Sequence, residues 1–361
     1  MKKTELGAWI ALSVVPDLGP ARFRKLLGRF GGPESVLAAS LSDLADVVGK
    51  DVARSICQAS SSDGVAKTIQ WLEQEEHDLV TLADQRYPVR LLQIADPPPL
   101  LYVDGDVEAL SAPAFAIVGS RSPSPQGLSS AKHFARALSE VGLTIVSGLA
   151  LGIDSAAHHG GLAGASGTIA VLGTGVDIVY PARNRELARE ITQKGALVSE
   201  FPLGYPVMAA NFPRRNRLIS GLSLGCLVVE AALHSGSLIT ARLALEQDRE
   251  VFAIPGSIHS PLAKGPHSLI KQGAKLVEEV ADILQELNLP ATVAPIAERA
   301  LEAQSGEAGK LLRAMGYDAC AIDTLCAHTG LPASAASALL LVLELEGKVA
   351  SLPGGLYQRV Y

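Results

Sequence analysis

Between residues 112 and 287 the chain repeats one pattern. A short apolar, β-branched run is followed by a glycine turn and then a longer stretch of helical character. The runs are Phe115–Val118, Thr144–Ser147, Thr168–Leu172, Leu197–Ser199, Cys226–Val229, Glu250–Ile254 and Lys275–Leu276. Short and continuously apolar, they read as strands buried on both faces. Helical patterns separate them, as at Leu128–Val141 and Leu238–Asp248. This alternation predicts an α/β fold, doubly wound around a mostly parallel sheet.

The flanks follow other patterns. Residues 1–70 read as short helices, with Leu12, Val15, Leu18, Phe23, Leu26 and Leu27 supplying an apolar set around Gly19-Pro20. Residues 71–110 predict a helix, a strand, a short helix, a proline-rich turn and a strand leading into the sheet region, which runs over 71–287. The stretch 288–308 is rich in Ala, Pro, Glu and Gly, lacks a sustained apolar stripe and reads as a linker. Over 309–361, Leu311–Met315, Ile322–Thr329 and Ser334–Glu346 read as helices. Lys348–Tyr357 reads as a hairpin turning at Pro353-Gly354-Gly355. Three helices and a β-wing predict a winged helix. Such folds often bind DNA, but the third helix here (SAASALLLVLELEG) has no Lys or Arg, which favours a protein partner.

Composition narrows the class. With 361 residues and 48% hydrophobic content the chain can bury a large core. No apolar run approaches the roughly 20 residues of a membrane helix. Glu5 interrupts the first apolar segment early, so no export signal is expected. Cys57, Cys226, Cys320 and Cys326 form no CxxC pair, and His328 lies too close to Cys326 for a zinc spacing. No metal and a reducing, cytoplasmic setting are the expectation, with Cys226 inside a strand. Net charge is −6, but it is unevenly spread. Residues 1–110 hold 11 basic and 16 acidic side chains, residues 111–285 hold 15 and 13, and residues 286–361 hold 5 and 8. An anion site should therefore be local and in the middle region.

That region concentrates its chemistry at strand ends. Glycines follow the strands at Gly119-Ser120-Arg121, at Gly148 to Gly152, at Gly173-Thr174-Gly175 and at His234-Ser235-Gly236-Ser237. Such turns let backbone N–H groups approach an anion, and the helix N-termini behind them favour negative charge. Neither GxxxxGK[ST] nor GxGxxG is present. Arg121 stands where a dinucleotide fold needs glycine, and Arg183 and Arg185 lie on connections of the same sheet. Asn211 to Ser223 (NFPRRNRLISGLS) sets Phe212 beside Arg214, Arg215 and Arg217. Pro213 marks a helix start, so Arg214 and Arg217 share a face. Guanidinium forks suit phosphates, and an aromatic face suits a base. The plainer alternative is a surface helix with solvated arginines. Asp154 is expected to cap the helix carrying His158 and His159, and both histidines are expected to lie on helix faces. Glu200 and Glu230 follow strands and are general-base candidates, but no Ser-His or Cys-His pair is legible.

Seven ordered segments carry a resemblance: GSRSPSPQG, IVSGLALGIDSAAHHGGL, TIAVLGTGVDIVYPARNREL, SEFPLG, NFPRRNRLISGLS, VVEAALHSGSLITARLALEQDREVFAIPGS and KGPHSLIKQGA. Together they resemble the DNA-processing protein A (DprA/Smf) family. The resemblance implies an extended Rossmann-like core between a helical domain of sterile-alpha-motif or helix-hairpin-helix type and a winged helix. LGPARFRKLLGRFGG is the part of the helical region that resembles such a bundle. It further implies single-stranded DNA binding, a homodimer formed through the core, and loading of RecA recombinase in natural transformation, with no cofactor and no catalysis. Carried over, Gly119, Ser120 and Arg121 hold a phosphate at the first turn, and Ser147 and Gly148 do so at the second. Phe212 stacks on a base, with Arg214, Asn216 and Arg217 near the backbone. Gly236, Ser237 and Lys264 line the far side, and Arg185 joins the DNA-binding set as a cation on a sheet connection. One departure stands out: family members often carry a basic residue shortly before the phenylalanine, where this chain has Met208, Ala209 and Ala210, so part of the basic contribution is either missing or moved to Arg214 or Arg215. The alternative is a Rossmann-like nucleotide-processing hydrolase, with Glu230 and Ser235-Gly236-Ser237 as its loose signature.

Overall fold

The apolar runs form one sheet, and its covering explains their composition. The computed structural model describes residues 3–59, 63–290 and 306–360. Residues 291–305, most of the expected linker, lie outside that set. Among the described residues the chain opens with helices α1 (Lys3–Ser13), α2 (Pro20–Phe30), α3 (Pro33–Ala38), α4 (Leu41–Val48), α5 (Lys50–Ala59) and α6 (Asp63–Trp71). Local chemistry sets their ends. Pro20 opens α2, Gly31 closes it in the left-handed conformation, and the Ser40 hydroxyl accepts the Asp43 N–H to cap α4.

Next come β1 (His77–Thr81), α7 (Val89–Leu92) and β2 (Leu100–Gly105). The alternating region follows as β3 (Ala114–Val118), α8 (Pro125–Glu140), β4 (Thr144–Ser147), α9 (Ile153–Ala163), β5 (Thr168–Val171), α10 (Arg185–Lys194) and β6 (Gly195–Ser199). It continues through α11 (Asn211–Leu222), β7 (Gly225–Val228), α12 (Ser237–Glu246), β8 (Glu250–Ala253), α13 (Lys264–Lys271), β9 (Lys275–Leu276) and α14 (Val280–Glu286). The sheet order is β1-β2-β6-β5-β4-β3-β7-β8-β9. All pairings from β6 to β9 are parallel, and β2 adds to β6 antiparallel, with Tyr102 opposite Ser199. Chain order reverses between β3 and β7, the position where an open α/β sheet leaves a crevice beyond its strand ends.

Both faces are covered. On one, Val118, Val146, Val171 and Val228 pack against Leu91 of α7, Leu218 and Ile219 of α11 and Leu238 of α12. On the other, Phe115, Ile117, Leu227 and Phe252 meet α8, α9 and α14. The opening helices join this second side. Trp9, Phe23, Leu26 and Leu44 belong to one apolar cluster with Leu79, Tyr102 and Leu197 of the sheet and Ile191 of α10. The Ser13 and Tyr102 hydroxyls hydrogen-bond at 2.8 Å across that seam.

The final module is α15 (Glu307–Met315), β10 (Cys320–Ala321), α16 (Ile322–Thr329), α17 (Ala333–Leu345), β11 (Val349–Leu352) and β12 (Leu356–Arg359). Its strands order as β10-β12-β11 around a core of Leu311, Leu325, Leu340 and Val349. Among the described residues no single helix is long and apolar enough to cross a membrane.

Candidate nucleic-acid interface

A groove of about 740 Å³ opens at the switch point. Three segments build it: the turn after β3 with Gly119, Ser120 and Arg121, the start of α11 with Phe212, Arg215 and Asn216, and the loop after β7 with His234 to Ser237. Tyr180, Asp154 and Ala150 close the side beneath β4 and β5. The long β6–β7 crossover brings α11 here, and the Asn211 amide pins its first turn by donating to the Gly173 carbonyl at 3.0 Å.

Phe212 is half-buried. One side rests on Gly173, where an added Cβ would come within 2.9 Å of the ring. The Tyr180 ring lies 5.6 Å away, and the Arg121 guanidinium lies 5.9 Å from the Phe212 centroid. Arg121 is exposed and, among the described residues, makes no hydrogen bond or ion pair, which leaves its donors free for an anion. The first turn of α12 faces the same space, so its N-terminal dipole reinforces the positive field.

The three arginines of α11 do different work. Arg215 is buried at 4% exposure. Its Nη1 donates to the carbonyls of Gly148 and Val171, tying together the ends of β4 and β5. Burial pushes its pKa down to about 10, opposed by the Asp154 carboxylate, so it stays cationic at neutral pH. Its Nε has no hydrogen-bond partner although it is buried. A Cβ on Gly148 would sit 2.6 Å from Arg215 Nη1, so the close approach requires glycine there.

Arg214 and Arg217 share a face, as their spacing predicts, but that face looks away from the groove. Arg217 donates to both oxygens of Glu200 at 2.8 Å, and Arg214 donates to the same carboxylate at 3.0 Å. Asp96 lies 3.4 Å from Arg217 Nε, and the Arg214 guanidinium stacks 5.1 Å from the Phe201 ring. Arg217 is therefore taken up by the fold and is not the solvated arginine of the plainer alternative, whereas Arg214 keeps 40% of its side chain exposed. The Glu200 side chain is only 2% exposed, so a buried carboxylate holds them.

Other expected site residues separate in the same way. Gly119, Ser120, Arg121, Phe212, Asn216, Gly236 and Ser237 come together in the groove. Ser147 does not: it is fully buried and its hydroxyl donates to the Ile117 carbonyl at 2.7 Å. Gly148 is engaged on both sides, its N–H on Asp154 and its carbonyl on Arg215. The second turn therefore holds no open phosphate site. Lys264 is outside the groove lining and donates to the Ile258 carbonyl at 2.6 Å. Arg185 lies in a neighbouring cleft of about 400 Å³ with Arg189 and Asp177.

Asp154 is not the helix cap it was expected to be. It stands in the first turn of α9, and its carboxylate accepts N–H groups of the preceding loop, from Gly148 at 3.1 Å and Ala150 at 3.4 Å. Burial pushes its carboxyl pKa up, against the pull of Arg215. His158 is fully buried, with Nε2 accepting from the Leu149 N–H and Nδ1 facing the Thr168 hydroxyl at 2.7 Å. Because the Thr168 hydroxyl donates onward to the Ile145 carbonyl, Nδ1 carries the imidazole proton. Glu230 accepts the Ser124 N–H at 2.8 Å and hydroxyl at 2.5 Å, which latches the start of α8. Both carboxylates considered as general bases are thus committed to the fold. Among the described residues no group of His, Cys, Asp and Glu is placed to hold a metal ion.

Comparison with known proteins decides the family. The family model for DNA recombination-mediator protein A matches residues 78–288, and the DprA winged helix domain matches residues 295–355. The chain belongs to the DprA/Smf family. The first match runs from inside β1 to just past α14, so every groove residue of this DprA relative lies within it. Protein Smf of Escherichia coli is 45% identical over 298 residues, which cover 81% of this chain and 80% of that protein. DNA processing protein DprA of Streptococcus pneumoniae is 46% identical over 206 residues, 57% of this chain and 73% of that one. The X-ray structure of the Streptococcus pneumoniae DprA superposes with a TM-score of 0.68 at 38% identity, over 78% of this chain and 97% of that one. A Helicobacter pylori DprA structure, described for its single-stranded DNA binding mode, gives 0.53 at 31% identity over 58% and 96%.

Proposed function

We propose that this chain binds single-stranded DNA in the switch-point groove and passes the strand to RecA recombinase in natural transformation. It acts as a cytoplasmic homodimer built through the sheet region, without catalysis. One observation carries this reading: a half-buried aromatic ring beside a free, exposed guanidinium in an open groove. That pairing suits a base and its phosphate, and it needs no particular sequence. The single-stranded DNA binding described for the Helicobacter pylori relative supports it. The commitment of Glu200 and Glu230 to structural hydrogen bonds favours binding over turnover. The lack of Lys and Arg in α17 favours a protein contact for the winged helix.

Oligonucleotide anisotropy tests the proposal. The chain should prefer single strands to duplex, with affinity falling as salt rises. Arg121→Ala should reduce the slope of log affinity against log salt by about 0.7, the contribution of one phosphate contact on a single strand. Phe212→Ala should weaken binding by roughly 1–3 kcal/mol and leave that slope alone. Preference for duplex, or an Arg121→Ala variant with wild-type affinity and slope, would overturn the assignment.

A further inference from the structure

We infer that Tyr180 forms a second base-stacking position, so that the groove takes two consecutive nucleobases, one on Phe212 and one on Tyr180. The inference rests on the reading of the groove as a single-strand site. Aromatic residues make up only 4% of this chain. Tyr180 is nonetheless 46% exposed, and it lines the groove. Its hydroxyl has no hydrogen-bond partner among the described residues. A large ring left open to water at a binding groove is an unused contact surface.

The ring is held in place. The Thr174 hydroxyl donates to the Ile178 carbonyl at 2.6 Å, two residues before it. Four residues after it, the Asn184 amide donates to the Leu149 carbonyl at 2.8 Å and the Ser155 hydroxyl at 3.0 Å. The first bond closes the loop on itself just past β5, and the others tie its far end to the turn after β4 and to α9. Its ring meets Phe212 at 5.6 Å between centroids with planes tilted by 39°. Rings this close touch directly, so a base cannot enter between them. Bases instead cover the pair from the open side, one per ring. Arg183 and Arg185 are exposed on the same connection, Arg185 in the neighbouring cleft.

The competing role is a prop: Tyr180 could simply hold Phe212 at its angle. A double-mutant cycle on the full chain separates the two, read by anisotropy with oligothymidylate. If Tyr180 stacks on its own base, Tyr180→Ala lowers affinity by about tenfold. The salt slope stays unchanged, and the same factor is lost again in the Phe212→Ala background. Tyr180→Phe keeps wild-type affinity, because the ring and not the hydroxyl does the stacking. Tyr180→Leu, which keeps apolar bulk at the site, loses as much as Tyr180→Ala. A loss that vanishes once Phe212 is absent overturns the inference, as does a Tyr180→Ala variant that binds like wild type. A wild-type chain that binds no oligonucleotide removes the groove reading and this inference with it. Wild-type binding that is indifferent to Tyr180 removes the second position alone.

Discussion

Replacing Arg217 by Met keeps most of the apolar stem and removes the charge. The structure then predicts a stability defect without a change in salt dependence. Glu200, 2% exposed in its side chain, would lose two hydrogen bonds of 2.8 Å and keep only Arg214 at 3.0 Å. Breaking a buried ion pair by removing one partner costs about 3–5 kcal/mol. Arg214 remains as a partner, so the lower end, about 3 kcal/mol, is expected here. For a sheet region of this size that lowers the melting temperature by roughly 6–12 °C, at about 2–4 °C per kcal/mol. The double variant Arg217→Met/Glu200→Gln should recover most of the loss, since no buried charge is left stranded. Melts followed by circular dichroism, paired with oligonucleotide titrations at several salt concentrations, measure both halves. The reasoning fails if Arg217→Met melts like wild type while the salt slope drops by about 0.7, because Arg217 would then be a phosphate ligand.

Three further outcomes are expected. Gly148→Ala should destabilise by about 1–3 kcal/mol in urea and also weaken oligonucleotide binding, because the new Cβ displaces Arg215 from beneath the Phe212 ring. Burial holds His158 down at about 3, well below its ordinary value of 6.5. The unfolded chain therefore takes up a proton below that ordinary value that the folded chain refuses. Stability fully present above about pH 6.5 should fall toward pH 5 by up to ~1.4 kcal/mol per unit, and His158→Gln should flatten that part of the urea-midpoint profile. Asp154, pushed up by burial, titrates with the opposite sign and is present in both chains. Ending the chain after Leu289 keeps all nine strands of the large sheet and the side chains of Leu287 and Leu289 that pack under α14. It should bind single strands with unchanged affinity, and a large loss in a folded truncated chain would bring the wing onto DNA.

What could be read along the chain was whatever depends on neighbours in sequence. Thr144–Ser147, Lys275–Leu276 and Ile322–Thr329 form their elements end to end as the pattern predicts, and other strands shift by a residue or two. Apolar continuity and glycine turns are local signals of buried strands and tight exits, so the fold class followed from them. The placement of Arg214 and Arg217 on one face followed equally from helical spacing.

Tertiary structure alone decided what that face meets. Glu200 and Asp96 lie 17 and 121 residues from Arg217, and no periodicity carries that distance. Arg215 sits between its two neighbouring arginines and turns inward, because the ends of β4 and β5 present two carbonyls there and Gly148 leaves room. Sheet order works the same way. The reversal between β3 and β7, which opens the groove, comes from long-range pairing, as does the antiparallel addition of β2 to β6. Tyr180 carried no local signal, set as it is between Val179 and Pro181, and its meaning depended on Phe212 arriving from a helix more than thirty residues on. Local spacing fixes which side chains travel together, and long-range packing fixes which of them face the groove.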